Sequence, residues 1–130
     1  MITVATIKQY FGASNVDAWY RSIVDTETID EQGQVYIDLA EAQAADLLRN
    51  GVADLDTLAA SVPVIHAVSC IAAYHWYCAT GIATPHMLEM TKMHDRARKT
   101  LMNYANERVI SDDVYTVVAT PNVIEDEDDA

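Results

Sequence analysis

Apolar side chains recur along this chain at spacings of three and four residues, the period of an amphipathic α-helix. The helices that this pattern predicts cover residues 3–11, a short stretch from about Val16 to Ile23, residues 35–49, residues 64–80 and about residues 85–108. Residues 25–34, DTETIDEQGQ, are predicted to be an acidic linker. Residues 52–62 fit either a loop or a single turn of helix. The pattern therefore predicts an all-α protein, a small bundle of about four to five helices.

The predicted helix over residues 64–80 is apolar on every side. A helix of that kind is buried in a protein or spans a membrane. This one is shorter than the ~20 apolar residues that a bilayer requires. It also contains His66 and His75 and lacks a basic flank, so we expect no membrane partner. The predicted core residues are Ile71, Tyr74, Trp76 and Tyr77 of this helix, together with Leu101.

Two other predicted helices have distinct faces. In residues 35–49, the residues Val35, Leu39, Ala42 and the pair Leu47/Leu48 lie at helical spacing. In residues 85–108, methionines, His94 and Leu101 form an apolar face. The opposite face carries a basic row, Lys92, Arg96 and Lys99.

The C-terminal part of the chain has a different character. Residues 113–120, DVYTVVAT, alternate in the way of a β-strand, yet the sequence offers no partner strand. A lone strand is not stable, so this segment is predicted to stay extended or to dock on another chain. The sequence then ends in the acidic run EDEDDA. We therefore expect a helical domain over residues 1–110 and an extended, β-prone acidic tail over residues 111–130.

Candidate chemistry is confined to residues 64–81, which contain both cysteines and two of the four histidines. On a helical wheel, Cys70, Cys78 and His75 lie about 40°, 120° and 180° from His66. One ion cannot collect groups so widely scattered, and neither CxxC nor HExxH occurs in the chain. We expect no metal, no cofactor and no catalytic residue. A copper site on the Met/His pattern of residues 86–94 is a weaker interpretation than a core-facing stripe.

Charge is strong and uneven. The chain has 130 residues, enough for one domain, and a net charge of −12. Residues 85–108 contain five of the eight basic residues and only three of the acids. Phosphates would be repelled by the remainder, so we expect no unaided binding to nucleic acid. Nucleophile elbows, glycine-rich phosphate loops and metalloprotease motifs are absent from the sequence, which favours a non-enzymatic protein.

The order of these elements resembles a known family. A short helix ending in IKQYFG comes first, and an acidic linker leads to YIDLAEAQAADLL. A proline-started helix with late aromatics, PVIHAVSCIAAYHWY, and a basic helix, DRARKTLMNYANERV, complete the pattern. Over roughly residues 3–110 the chain is similar to the head–tail connector proteins of tailed bacteriophages, also called adaptor or head-completion proteins. The resemblance lies in the order of the elements and the types of residue in each, rather than in a specific sequence motif.

The resemblance implies a structural virion protein and no catalytic residues. Connector subunits form homo-oligomeric rings, commonly dodecamers, beneath the portal protein, and they present a platform to tail-completion or tail-terminator proteins. DNA passes through the ring without specific binding. The expected location is the neck of the virion, after assembly in the host cytoplasm. Expected interface residues are Lys92, Arg96 and Lys99 of the basic row and Val114, Tyr115, Val117 and Val118 of the tail.

Three alternatives belong to other classes. The net charge of −12 favours an acidic helical regulator, such as a DNA-mimic inhibitor, although the basic helix does not fit one. A tail-completion or tail-terminator subunit would be richer in β-structure. A metal-dependent enzyme conflicts with the scatter of the cysteines and histidines.

Overall fold

Five helices make up the regular structure of the part of the chain that this computed structural model describes, which is residues 1–23, 27–48, 61–81 and 86–112, without the side chains of residues 107–112. They are α1 Val4–Phe11, α2 Ala13–Ser22, α3 Ile29–Leu48, α4 Val62–Ala79 and α5 His86–Asp112. Within these ranges no strand occurs. The predicted all-α bundle is thus confirmed. Residues 111–112, the first two of the predicted tail 111–130, end α5. The rest of that tail, including the predicted strand 113–120, and most of the ambiguous segment 52–62 lie outside the described residues.

Helix α4 occupies the centre and packs against α1, α3 and α5. Its buried residues surround the whole helix, in agreement with its continuous apolar wheel. They are Val64, Ala67, Val68, Ser69, Cys70, Ile71, Ala72, Ala73, Trp76 and Tyr77. Ser69 is accommodated because its hydroxyl donates to the carbonyl oxygen of Ile65 at 2.8 Å.

Trp76 of α4 joins several helices in the core. Its ring is fully buried, meets Trp19 of α2 edge-on and stacks on Tyr36 of α3. Its indole Nε1 donates a 2.8 Å hydrogen bond to Oε1 of Gln32. Gly33 lies so close to the Trp76 ring that no larger residue would fit without movement. Large aromatic burial and a satisfied indole donor together fix α3 against α4.

Helix α3 begins earlier than the sequence analysis predicted. Residues 29–34 are helical rather than part of an acidic linker. The reason is a reciprocal cap, in which the Glu31 amide donates to Thr28 Oγ1 and the Thr28 amide donates to a Glu31 carboxylate oxygen. This is the Ser/Thr-x-x-Glu capping box, and it starts a helix inside the acidic stretch.

Of the apolar residues at helical spacing in α3, Leu48 is buried and Leu47 packs against the core, whereas the other three are exposed. Val35 is 55% exposed and Leu39 is 49% exposed, and Ala42 is exposed as well. The face that packs on the core is instead formed by Gln32, Gly33, Ile37, Ala40, Ala44 and Leu48. These residues also follow helical spacing, and their smaller members let α3 approach α4 closely.

Helix α5 packs on α4 and α3 through the face that the sequence predicted to be apolar. Ala97, Leu101 and Ala105 are buried along it. The predicted core residues Ile71, Trp76, Tyr77 and Leu101 are all buried. Tyr74 differs, because it is only half-buried at the edge of the bundle, where its ring stacks on His94 with centroids 4.2 Å apart.

Candidate assembly surface

The cysteines and histidines of α4 separate into two places on the bundle. Cys70 is buried, and its Sγ lies 3.6 Å from Nε2 of His66, one turn earlier. Burial raises the pKa of the Cys70 thiol to about 11, although the nearby Arg96 guanidinium opposes the shift. A thiol of that kind stays protonated near neutral pH and is a poor nucleophile. This pair lines a cleft of about 330 Å³ between α4 and α5.

The second place is an aromatic and histidine cluster that joins α3, α4 and α5. Nε2 of His75 donates to Oε1 of Gln43 at 3.0 Å, and the His75 ring meets His94 edge-on. Burial lowers the pKa of His75. Burial, followed by the charges of His75 and Arg98, lowers the pKa of His94. Both shifts favour the neutral imidazole, which suits packing between helices.

No three histidine, cysteine or carboxylate side chains that could share a metal ion come together among the described residues. Within the same ranges, none of the helices has both the length and the apolar character needed to cross a bilayer.

The basic row predicted from the sequence lies on the outside of α5. Lys92, Arg96 and Lys99 are all exposed. Arg96 also borders the cleft beside Cys70, whereas the two lysines face away from α4 on the helical wheel. The row is interrupted by the exposed carboxylate of Asp95. The predicted tail residues Val114, Tyr115, Val117 and Val118 lie outside the described residues.

Two large apolar side chains accompany the basic row. Leu88 is 62% exposed and Met102 is 46% exposed. Residues 88, 92, 99 and 102 are separated by four, seven and three positions, so they share one side of the helix. We call Leu88, Lys92, Lys99 and Met102 the α5 outer face.

Sequence reasoning missed a second exposed surface, on α3. Val35, Leu39 and Ala42 form a stripe along the side opposite the core, with the exposed acids Glu31, Asp38 and Asp46 beside or in line with it. We call these six residues the α3 outer face. The sequence does indicate this surface, because α3 has apolar residues at helical spacing on two sides. Only one of these sides can face α4, so the other must be exposed.

No protein-family model, curated protein or solved structure matches the chain.

Proposed function

We propose that this protein is a head–tail connector subunit, which forms a ring beneath the portal of a tailed-phage capsid. The observation that carries the proposal is the exposed face of α5, where two lysines lie between two large apolar residues on an otherwise acidic chain. Mixed apolar and charged patches of this kind are typical of surfaces that bind proteins. The order and character of the helices, similar to those of connector proteins, support the same role.

In this role the subunit provides shape and charge rather than catalysis. A ring of subunits that each have a net charge of −12 would surround the DNA channel with negative potential. Phosphates are repelled by such a wall, so DNA would pass without binding to it. The ring would bind the portal protein on one side and a tail-completion or tail-terminator protein on the other, in the neck of a virion assembled in the host cytoplasm.

Incubation of the purified protein with portal-bearing, DNA-filled capsids tests the proposal. We expect a ring of subunits at one vertex by electron microscopy and a ring-sized species by native mass spectrometry of the concentrated protein. A chain that stays monomeric at high concentration and does not attach to capsids would overturn the proposal.

The basic row allows a sharper version of this experiment. Changing Lys92, Arg96 and Lys99 together to glutamate should leave the helix content unchanged by circular dichroism, because all three side chains are exposed. The same variant should fail to attach to capsids. Normal attachment would show that the basic row has no part in assembly.

A second candidate function is an acidic inhibitor that imitates DNA, which the net charge of −12 favours. Such a protein acts as a small soluble species on a DNA-binding protein. Inhibition of a DNA-binding enzyme at stoichiometric concentration, with no attachment to capsids, would favour this candidate over the connector.

A further inference from the structure

We propose that the α5 outer face of one subunit docks on the α3 outer face of a second copy of this chain. The inference rests on the proposed ring and names the surfaces that would build it. It is carried by exposed apolar area on both faces and by the opposite charges that accompany it.

The α3 outer face offers an apolar centre with an acidic border. Val35, Leu39 and Ala42 follow one another at spacings of four and three, so they form a continuous stripe about 10 Å long. Helix α3 contains five acidic residues and no lysine or arginine. One of the five, Glu41, is half-buried and is bonded to the start of the chain. The exposed acids Glu31, Asp38 and Asp46 therefore border the stripe and give this face a negative charge.

The α5 outer face has the complementary arrangement. Its two ends are apolar, at Leu88 and Met102. Its middle carries Lys92 and Lys99 with the exposed carboxylate of Asp95 between them, so the face keeps a net positive charge. The ends lie about 21 Å apart along the helix axis, so the face is long enough to cover the whole α3 stripe. Long lysine side chains can lay their methylene groups along apolar surface while their ammonium groups reach the acids at its border.

Charge decides which pairing of faces is favourable. Two α5 outer faces would bring lysines together, and two α3 outer faces would bring carboxylates together. Like charges placed opposite each other across an interface oppose association. Of the three pairings, only an α3 outer face against an α5 outer face brings opposite charges together. This pairing also covers Val35 and Leu39 on one side and Leu88 and Met102 on the other.

This pairing also predicts the kind of assembly. The two faces lie on different helices that each pack against α4 by their opposite sides. Every subunit can therefore receive one neighbour on α3 and offer α5 to another. Such a head-to-tail contact repeats until it closes into a ring or continues as a filament, whereas it does not end at a dimer.

Charge reversal on each face provides the test. The first variant is Lys92→Glu/Lys99→Glu, and the second is Asp38→Lys/Asp46→Lys. Either variant alone should self-associate at least about tenfold more weakly than the wild type, measured by sedimentation velocity and native mass spectrometry. An equimolar mixture of the two should assemble again, with the variants alternating, and so should a single chain that carries all four changes.

A matched control separates this effect from the change in total charge. Arg21→Glu/Arg98→Glu alters the net charge as much as the first variant does, and both arginines are exposed but outside the two faces. This control should assemble like the wild type. Circular dichroism and thermal unfolding of every variant exclude misfolding as the cause of lost assembly.

The outcomes distinguish this inference from the proposed function. If the wild type forms rings but the mixture and the four-change chain do not, the subunits meet through other surfaces, and the connector proposal still stands. If the wild type neither self-associates nor attaches to capsids, both proposals fail. If Lys92→Glu/Lys99→Glu is rescued by reversing the acids of residues 125–129 instead of those on α3, the chain's own C-terminal residues occupy the α5 face, and the inference is wrong.

Discussion

Gly33 shows how strongly a single residue can determine the packing of this bundle. A Cβ atom at this position would lie 2.5 Å from Cγ2 of Val4 and within 2.9 Å of the Trp76 ring. The absence of a side chain is therefore what lets α1, α3 and α4 meet at one point. Its backbone is ordinary helix, so the requirement is for space and not for an unusual torsion angle.

Gly33→Ala should accordingly destabilise the protein. Alanine favours the helical state over glycine by up to about 1 kcal/mol. Overpacking against a buried indole typically costs about 1–3 kcal/mol, so we expect a net loss. Chemical denaturation measures it. Gln34→Ala, at the exposed neighbouring position, is the control and should stay within about 0.5 kcal/mol of the wild type. A Gly33→Ala protein more stable than the wild type would contradict the crowding seen at this site.

His94 makes the stability of the bundle depend on pH. Its Nε2 atom is buried without a hydrogen-bond partner in the described part of the chain, and its pKa is lowered from 6.5 chiefly by burial. The unfolded chain therefore binds protons more readily than the folded chain. By linkage, the contribution of His94 to the free energy of unfolding is fully present above the pKa that this histidine has in the unfolded chain. It decreases as the pH falls below that value.

We expect the thermal midpoint to drop between about pH 7.5 and pH 5.5, and His94→Leu should make that drop smaller. Leucine fits because the position continues the apolar face of α5. The control is His86→Leu, which alters an exposed histidine on the same helix and keeps both clustered histidines. Equal pH dependence in the wild type and His94→Leu would show that His94 is not the responsible group.

At the scale of elements, the start of α3 depends on two side chains. Thr28 and Glu31 satisfy each other's backbone amides, which otherwise have no partner in the first turn of a helix. Gln32 and Gly33, which contact Trp76, follow directly after this cap.

Thr28→Ala removes one half of the cap and should lower the free energy of unfolding by about 1 kcal/mol. Thr28→Ser keeps the hydroxyl and should lose much less. Urea denaturation compares the two variants directly. If both lose the same amount, the hydroxyl bond to the Glu31 amide contributes nothing, and α3 is held by its packing alone.

The elements also show what the sequence can and cannot predict. Helix α4 was predictable, because a helix apolar on every side has only one place in a small bundle. The side of α3 that faces inward was not, since Val35 and Leu39 match helical spacing as well as Ile37 and Ala40 do. The choice depends on the fit of Gly33 against Trp76, a contact between residues more than forty positions apart.

At the scale of the whole molecule, apolar area and charge are distributed unequally around the bundle. The inner sides of α3, α4 and α5 are used by the core. The outer sides of α3 and α5 remain exposed and carry charges of opposite sign. A monomer gains nothing from this arrangement, because exposed charges and scattered exposed apolar residues contribute little to stability. In a ring of copies the same residues would set the register between neighbours.

The apolar part of the α3 outer face can be tested separately from its charge. Val35→Thr/Leu39→Gln removes the exposed stripe without changing the net charge. Since both side chains are about half exposed, the free energy of unfolding of the monomer should change by less than about 1 kcal/mol. Self-association should weaken by at least about tenfold, because the apolar side chains of Val35 and Leu39 would no longer be buried in the contact. Sedimentation velocity measures association, and denaturation of dilute protein measures monomer stability.

The control is Ile37→Thr, on the buried side of the same helix, which should destabilise the monomer strongly. Unchanged association of Val35→Thr/Leu39→Gln would remove the α3 stripe from the proposed interface.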